Sequence, residues 1–180
     1  LEFLPRAELS ETSLVARPFH PDEIRGIRAR HTCPIVFVAL GMSAQFTQPV
    51  SVEGVEAHFY VTEGVPLTGS NVTVIPYSTL HTQDYVAAAD CVVTKAGWGT
   101  VAECLLAQKP MALFARDSVL EDRTTIRLLE QKKLGIKVTY EQLTEMSDLL
   151  EQMKQITYPA VPEYHNAAAE IISKLLTLTE

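Results

Sequence analysis

Short apolar runs recur along this chain, and stretches with helical periodicity lie between most of them. The first run, residues 34–40, is apolar at nearly every position and stops at a glycine. A run that is apolar on both faces is typical of a central strand in a parallel sheet. Further strands are predicted at 57–61, 71–75, 89–93, 110–114 and 135–138. Strands that alternate with helices predict an α/β fold, a Rossmann-like parallel sheet with helices on both faces.

The helical patterns are uneven in strength. Helices are predicted at 22–30, 82–88, 101–107, 121–133, 140–155 and 163–178. Residues 45–56 stand where a crossover helix is expected, but Pro49 and several β-branched residues weaken a helix there. Residues 1–33 are irregular and rich in proline, so we expect them to form an interdomain arm. Residues 34–180 are then expected to form the Rossmann-like domain.

Composition excludes several classes of function. A length of 180 residues suits one well-filled domain, and 47% apolar with 21% charged residues is ordinary for a globular protein. The net charge of −7 and the lack of a basic run argue against nucleic-acid binding. No apolar stretch is long enough to span a bilayer, so no transmembrane segment is predicted.

Cysteine and histidine usage predicts neither a disulfide framework nor a metal site. The three cysteines have unrelated spacings, which favours a reducing, cytoplasmic location. The five histidines are equally scattered, without the helical spacing of a metal-binding pair. We therefore expect no bound metal.

The segment 95–103, Lys-Ala-Gly-Trp-Gly-Thr-Val-Ala-Glu, joins a predicted strand to a predicted helix. A helix that begins in this way presents free backbone N–H groups to an anion. We expect Gly97 and Gly99 to let the backbone bend sharply and approach a ligand closely. The segment predicts a phosphate site, with Glu103 as an acceptor for hydroxyl groups. The alternative is a capping box, in which Thr100 caps the helix and Glu103 reaches back to it.

Polar residues concentrate in the loops that follow the predicted strands. These loops are 41–43, 76–78, 96–100 and 115–118, and they contain glycine, hydroxyl and charged residues. Ligands of open parallel sheets bind at the carboxyl ends of the strands. The convergence of these loops therefore predicts a binding cleft.

The segments 74–77, 85–103 and 109–110 resemble the C-terminal half of GT-B glycosyltransferases, the half that binds the nucleotide-sugar. They are most similar in style to family 28, the branch that includes the peptidoglycan lipid II N-acetylglucosaminyltransferase. The resemblance covers about residues 35–138, with 85–110 as its specific part. It implies that an N-terminal, acceptor-binding half lies outside this chain, that residues 1–33 match the interdomain segment, and that 164–178 match the closing helix.

The resemblance also implies contacts to a UDP-sugar. Glu103 would bind the ribose hydroxyls, and backbone groups near Tyr77 and Ser78 would contact the uracil edge. The implied phosphate contacts come from two turns, and they are Gly41, Ser43, Gly97, Gly99 and Thr100.

Three features depart from the family pattern. Where the family often places Asp-Gln or Gln-Gln against the donor sugar, residues 122–125 read Asp-Arg-Thr-Thr. Trp98 and the pair Arg116 and Asp117 are similar instead to the transferase-like half of plant arabinokinases and their bacterial relatives, and all three are candidate ligand contacts. Trp98 either stacks on a base or caps the edge of the core. Arg116 either meets a phosphate or carboxylate or forms a surface salt bridge to Asp117 or Glu121.

These observations predict the donor-binding domain of a glycosyltransferase that transfers sugar from a UDP-sugar to an unknown acceptor. No cofactor besides the donor is expected, and no residue stands out as a catalytic base. The isolated chain is therefore predicted to be inactive. Two alternatives stay open: part of a nucleotide-sugar 2-epimerase, and a non-catalytic nucleotide-sugar-binding or interaction module.

Overall fold

The computed structural model describes residues 12–40, 48–116 and 119–177. A six-stranded sheet with the order β5-β3-β1-β6-β7-β8 forms its centre, beside a two-stranded sheet of β2 and β4. In chain order the elements are α1 (Pro21–Arg28), β1 (Ile35–Ala39), β2 (Val50–Ser51), β3 (His58–Thr62), β4 (Leu67–Thr68), β5 (Val72–Ile75), α2 (Thr82–Ala88), β6 (Cys91–Lys95), α3 (Trp98–Leu106), β7 (Met111–Phe114), α4 (Leu120–Gln131), β8 (Gly135–Val138), α5 (Tyr140–Thr144), α6 (Met146–Lys154) and α7 (Ala168–Thr177).

All neighbouring strands of the large sheet are parallel. The chain builds outward from β1 to β3 and β5, then returns to place β6, β7 and β8 on the other side of β1. This is the order of a doubly wound sheet, and its topological switch point lies between β1 and β6. The predicted Rossmann-like parallel sheet is confirmed.

Alternating side chains of the strands pack into two separate hydrophobic cores, one on each face of the sheet. Ile35 and Phe37 pack with buried residues of α1, α2, α3 and α4 on one face of the sheet. Val36 and Val38 pack on the other face with α5, α6 and the small β2–β4 sheet. Because successive side chains of a strand point to opposite faces, an uninterrupted apolar run such as β1 requires cover on both sides.

The crossover from β1 to β3 differs from an ordinary helical connection. Residues 48–56 hold no helix, and β2 pairs in parallel with β4 instead, with Val50 opposite Leu67. The expected crossover helix is therefore wrong over these residues, and 45–47 lie outside the described part. A strand in place of a helix is consistent with the presence of Pro49, because proline has no N–H to donate to the backbone hydrogen bonds of a helix.

The two helical segments nearest the C-terminus depart from their predicted bounds. The segment 140–155 is divided into α5 and α6 at Glu145, whose backbone leaves the helical region at φ −105° and ψ 52°. The last helix begins at Ala168 rather than at residue 163. Just before it, Asn166 forms a β-bridge to Leu14, and the Ala167 N–H donates to the Leu14 carbonyl at 2.7 Å. Pairing with the arm thus delays the start of the helix.

The described part of the arm, residues 12–33, lies along the face that carries α2 and α3. Leu14 and Ile27 belong to the core on that face. At the end of α1, Arg28 donates to the Ala88 carbonyl at 2.7 Å and to Asp90 at 3.0 Å. The arm is therefore held at several points along its length. Across the described segments, no helix combines the length and the apolar character that crossing a membrane requires.

Candidate functional site

The turn after β6 lies at the switch point of the sheet. Ala96 is buried, and its N–H donates to the Phe114 carbonyl of β7 at 3.3 Å. The Gly97 N–H donates to the Lys95 backbone carbonyl at 2.7 Å. The first helical hydrogen bond of α3 runs from the Val101 N–H to the Gly97 carbonyl at 3.1 Å. The sheet thus fixes the place where α3 begins, at the carboxyl edge where ligands of this topology bind.

Three backbone N–H groups at the start of α3 find no acceptor among the described residues. Within residues 12–40, 48–116 and 119–177, those of Trp98, Gly99 and Thr100 donate to no protein group. The N-cap residue is Gly97, which has no side chain to satisfy them. Unsatisfied amides at the positive end of a helix form a natural anion site, even in a chain of negative net charge.

Two expectations about this turn are corrected. The capping box is wrong, because α3 begins three residues earlier than predicted and Thr100 lies inside its first turn. The expectation that the glycines permit the bend is also wrong, since Gly97 has φ −73°, which any residue adopts. What Gly99 provides is space, because a Cβ built on it meets no atom within 4 Å. The backbone of the turn is therefore open to an approaching ligand.

Glu103 is a buried carboxylate on the same helix. Its side chain is 5% exposed, and Oε1 accepts a hydrogen bond of 2.8 Å from Arg17 Nε. Glu103 follows Thr100 by three positions, so both side chains lie on one face of α3. The turn and the carboxylate are thereby placed along one side of the helix.

Trp98 is the first residue of α3 and is 48% exposed. This exposure is compatible with both alternatives, stacking on a base and capping the core edge, so both stay predictions. Trp98 is the single tryptophan of the chain, so its fluorescence reports directly on this turn.

The loop after β5 lies at the same edge of the sheet, and some of its backbone N–H groups already donate hydrogen bonds within the protein. The Tyr77 N–H donates to Glu63 Oε2 at 3.1 Å, and the Thr79 N–H closes a turn onto the Pro76 carbonyl at 3.0 Å. Tyr77 is 61% exposed and Ser78 is also exposed. The Tyr77 amide is thus already engaged, and the backbone of Ser78 is the better candidate for a contact to a base.

Arg116 forms an ion pair with Asp122, a residue that was not among its expected partners. Its Nε and Nη2 each donate to Asp122 at 2.7 Å, and its backbone N–H donates to Asp122 Oδ2 at 3.1 Å. These bonds hold the pKa of Asp122 below its ordinary value. The pair with Glu121 is therefore wrong. Asp117, like Gly41 and Ser43, lies outside the described residues.

The segment that the resemblance matches to sugar binding serves the fold here. Asp122 is fully buried against Arg116, and Thr125 is 8% exposed. Thr124 is exposed, and its hydroxyl donates to the Leu120 carbonyl at 3.1 Å. Two of the four residues at 122–125 are thus withdrawn from solvent.

Arg17 contacts the candidate site residue Glu103, and no sequence pattern indicated this contact. It lies 86 positions before Glu103, in a segment without helical or strand periodicity. The three-dimensional contact alone connects it with the site. In the described part of the chain, no group of three or more His, Cys, Asp or Glu side chains is arranged to hold a metal ion.

Residues 36–178 match the family described as the glycosyltransferase family 28 C-terminal domain. The match covers most of the chain and includes the turn, Glu103 and Asp122. The chain belongs to this family. A comparison with curated protein sequences finds no match.

Solved structures of glycosyltransferases share the fold of this family 28 domain. SnogD from Streptomyces nogalater has a TM-score of 0.55 at 20% identity, over 83% of this chain and 44% of its own. VinC, solved in complex with dTDP, has a TM-score of 0.58 at 15% identity, over 89% of this chain and 45% of its own. CalG4, the calicheamicin glycosyltransferase, has a TM-score of 0.54 at 17% identity, over 83% of this chain and 45% of its own.

The domain therefore spans less than half the length of these three enzymes. At such low identity the likeness establishes the fold, which is that of one half of a GT-B glycosyltransferase. Neither the family match nor these structures supports the similarity to arabinokinases.

Proposed function

We propose that this domain binds the nucleotide of a UDP-sugar at the carboxyl edge of its sheet and presents the sugar to an acceptor held by another half. One observation supports this above the others. The open backbone turn at the switch point and the buried carboxylate of Glu103 occur together on one helix. A turn alone is common in α/β folds, but the combination suits a ligand with both phosphates and vicinal hydroxyls.

The diphosphate would lie against the first turn of α3. The amides of Trp98, Gly99 and Thr100 supply hydrogen bonds, and the helix dipole adds a favourable field. The empty space in front of Gly99 lets phosphate oxygens reach the backbone. The same groups would stabilise negative charge on the departing UDP, which is a requirement of glycosyl transfer.

The ribose would bind Glu103. An ionised carboxylate accepts several hydrogen bonds and donates none, which suits two adjacent hydroxyl donors. Charge-assisted hydrogen bonds of this kind are worth about 1.5–3 kcal/mol. Glu103 is therefore expected to contribute affinity as well as selectivity for a ribonucleotide.

The reaction would be completed outside this chain. During transfer the bond between the sugar C1 and the diphosphate oxygen breaks, and the acceptor oxygen bonds to C1 while a base takes its proton. We assign stabilisation of the leaving group to α3 and expect the acceptor half to supply the base. The isolated chain is accordingly expected to bind donor without transferring its sugar.

A non-catalytic binding module is the second candidate, and a specific observation favours it. Asp122 is fully buried against Arg116 and Thr125 is buried, so neither is presented to a donor sugar. A module of this kind would bind UDP as tightly as a UDP-sugar. A donor domain would bind the UDP-sugar more tightly, because the sugar adds contacts of its own.

The decisive experiment is a titration of the 180-residue chain with UDP, dTDP and UDP-N-acetylglucosamine, followed by calorimetry and by Trp98 fluorescence. We expect saturable UDP binding with a change in Trp98 emission. Comparison of UDP with dTDP tests the base and the ribose 2′-hydroxyl together. An absence of heat and of fluorescence change at millimolar UDP would contradict the proposed function.

Two variants locate the binding site. Gly99→Val fills the open space of the turn and is expected to abolish UDP binding, whereas Gly26→Val on α1 is a matched control, since its Cβ also meets no atom within 4 Å. Glu103→Gln keeps the shape and removes the charge, and it should weaken UDP binding about tenfold or more. Equal affinity of the Gly99 and Gly26 variants would place the nucleotide elsewhere.

A further inference from the structure

We infer that Arg17 is a positioning residue for the donor site, and that it holds the Glu103 carboxylate in place to receive the ribose. The N-terminal arm would then supply part of the nucleotide site rather than serve only as a connection between halves. This inference rests on the proposed function, because it assigns Glu103 to the ribose.

The guanidinium of Arg17 bridges three parts of the domain. Nε donates to Glu103 Oε1 at 2.8 Å, Nη1 donates to the Leu80 carbonyl at 3.2 Å, and Nη2 donates to Thr82 Oγ1 at 3.0 Å. Leu80 lies in the loop before α2, Thr82 begins α2, and Glu103 belongs to α3. A planar group with three partners is fixed in orientation, and it fixes the orientation of the carboxylate in return.

Burial differs sharply between the two partners. The Glu103 side chain is 5% exposed, whereas that of Arg17 is 48% exposed. A buried carboxylate requires compensation by charge or hydrogen bonds. Among the residues that the structure describes, Arg17 is the one partner of the Glu103 carboxylate. The orientation of the Glu103 carboxylate therefore depends on the arm.

The contact leaves acceptor capacity on the carboxylate. Arg17 occupies one position on Oε1, and each carboxylate oxygen accepts more than one hydrogen bond. Among the residues that the structure describes, none donates a hydrogen bond to the other oxygen, Oε2. A ribose with vicinal hydroxyls needs that second oxygen, so the ion pair prepares the site without filling it.

A second ion pair of the arm provides a matched control. Arg28 donates to Asp90 Oδ1 at 3.0 Å, and its side chain is 47% exposed, close to the value for Arg17. Asp90 precedes β6, so this pair lies at the amino edge of the sheet, opposite the turn of α3. If ion pairs only fasten the arm, loss of either arginine should have the same consequences.

The experiment uses the 180-residue chain and its variants R17Q, R28Q, E103Q and R17Q/E103Q. Each is titrated with UDP and with 2′-deoxy-UDP, and its stability is measured by urea unfolding. We expect R17Q to weaken UDP binding about tenfold and to reduce the preference for UDP over 2′-deoxy-UDP. R28Q should leave the affinity for UDP and the preference for UDP over 2′-deoxy-UDP unchanged. The double variant should bind UDP no more weakly than E103Q.

Several outcomes would overturn the role of Arg17. Unchanged UDP binding in R17Q, or an equal loss in R28Q, would show that the arginine only fastens the arm. Tighter binding in R17Q would show that Arg17 competes with the ribose. If R17Q does not fold, R17K replaces it, because lysine keeps the positive charge but lacks the planar guanidinium with its several donors. We expect R17K to show a smaller preference for UDP over 2′-deoxy-UDP than wild type does. A wild-type chain that binds no UDP would overturn the proposed function itself.

Discussion

The carboxylate of Asp122 receives both Nε and Nη2 of Arg116, each at 2.7 Å. The Arg116 backbone N–H adds a third bond to the same carboxylate at 3.1 Å. Asp122 lies in the first turn of α4, and Arg116 lies in the loop that follows β7, so the pair closes the β7–α4 connection. An acidic residue beside the expected sugar position thus maintains the shape of the loop.

We predict that Asp122→Asn destabilises the domain by about 1.5–3 kcal/mol, because asparagine keeps the shape but removes the charge that two guanidinium bonds require. Urea unfolding measures the loss. Glu121→Gln is the control, since Glu121 is exposed, and its effect should stay within about 0.5 kcal/mol. Equal effects of the two substitutions would contradict the prediction.

The same pair predicts an acid dependence. Arg116 lowers the pKa of Asp122, so the ionised carboxylate stabilises the fold fully above the unfolded value of about 3.9. That stability is lost as the pH falls from there through the folded pKa. Wild type should therefore lose more stability than Asp122→Asn on acidification below about pH 4. Parallel pH profiles for the two proteins would refute this assignment.

Stacked histidines predict a second pH effect near neutrality. The rings of His31 and His58 stack with centroids 3.8 Å apart, and burial lowers the pKa of both, with Arg30 adding to the effect on His31 and His31 adding to that on His58. The unfolded chain then binds more protons than the folded one below about pH 6.5. Stability should rise with pH through the window between the lowered pKa values and about 6.5.

Substitution of one ring tests that window. His58→Gln removes one titrating group, so the gain in unfolding free energy between pH 5 and pH 7.5 should be smaller than in wild type. The comparison is made at constant ionic strength by urea unfolding at both pH values. A gain equal to that of wild type would show that the stacked pair does not determine this pH dependence.

The sequence predicts the sheet well because its signals are local. Strands such as β1 and β8 are short apolar runs between turns, and their bounds differ from the predicted ones by one residue at most. The strand order was not predicted, because right-handed crossovers are compatible with more than one order of a doubly wound sheet. The position of the anion turn was predicted from a local pattern as well, a glycine-containing turn between an apolar run and a helix.

The contacts that shape the site are not local, and the sequence did not predict them. Arg17 and Glu103 are 86 positions apart, and neither lies in a pattern that indicates the other. The division between α5 and α6 at Glu145 was also missed, because no glycine or proline marks it. The short strands β2 and β4, of two residues each, are too brief for any periodicity to indicate.

Burial predicts that a single thiol of the three reacts in the native protein. Cys104 is fully buried, Cys91 is 8% exposed, and Cys33 is half-buried. Burial raises the pKa of Cys91 to about 12 and also raises that of Cys104. Because the thiolate is the reactive form, Ellman's reagent should modify Cys33 first, and the other two only on unfolding. Cys33→Ser should remove the fast phase, and a fast phase that survives in this variant would contradict the prediction.

The last helix presents an apolar face to solvent. Ile172 and Leu175 are each 58% exposed, and α7 has no buried residue. Exposed apolar surface of this kind promotes association, so we predict that the isolated chain self-associates with rising concentration. The double variant Ile172→Gln/Leu175→Gln should remain monomeric in sedimentation velocity runs, with the free energy of unfolding changed by only about 0.5 kcal/mol.

Ile171, one position earlier on α7, is the matched control. It is partly buried, and its N–H donates to the Ala167 carbonyl at 3.0 Å. Ile171→Gln should lower the free energy of unfolding more than Ile172→Gln does. The reason is that the Ile171 side chain is partly sheltered from water, whereas the Ile172 side chain is exposed. If both substitutions destabilise the domain equally, the Ile172 face is packed against the domain in solution. If wild type is monomeric at every concentration, this face does not drive association of the isolated chain.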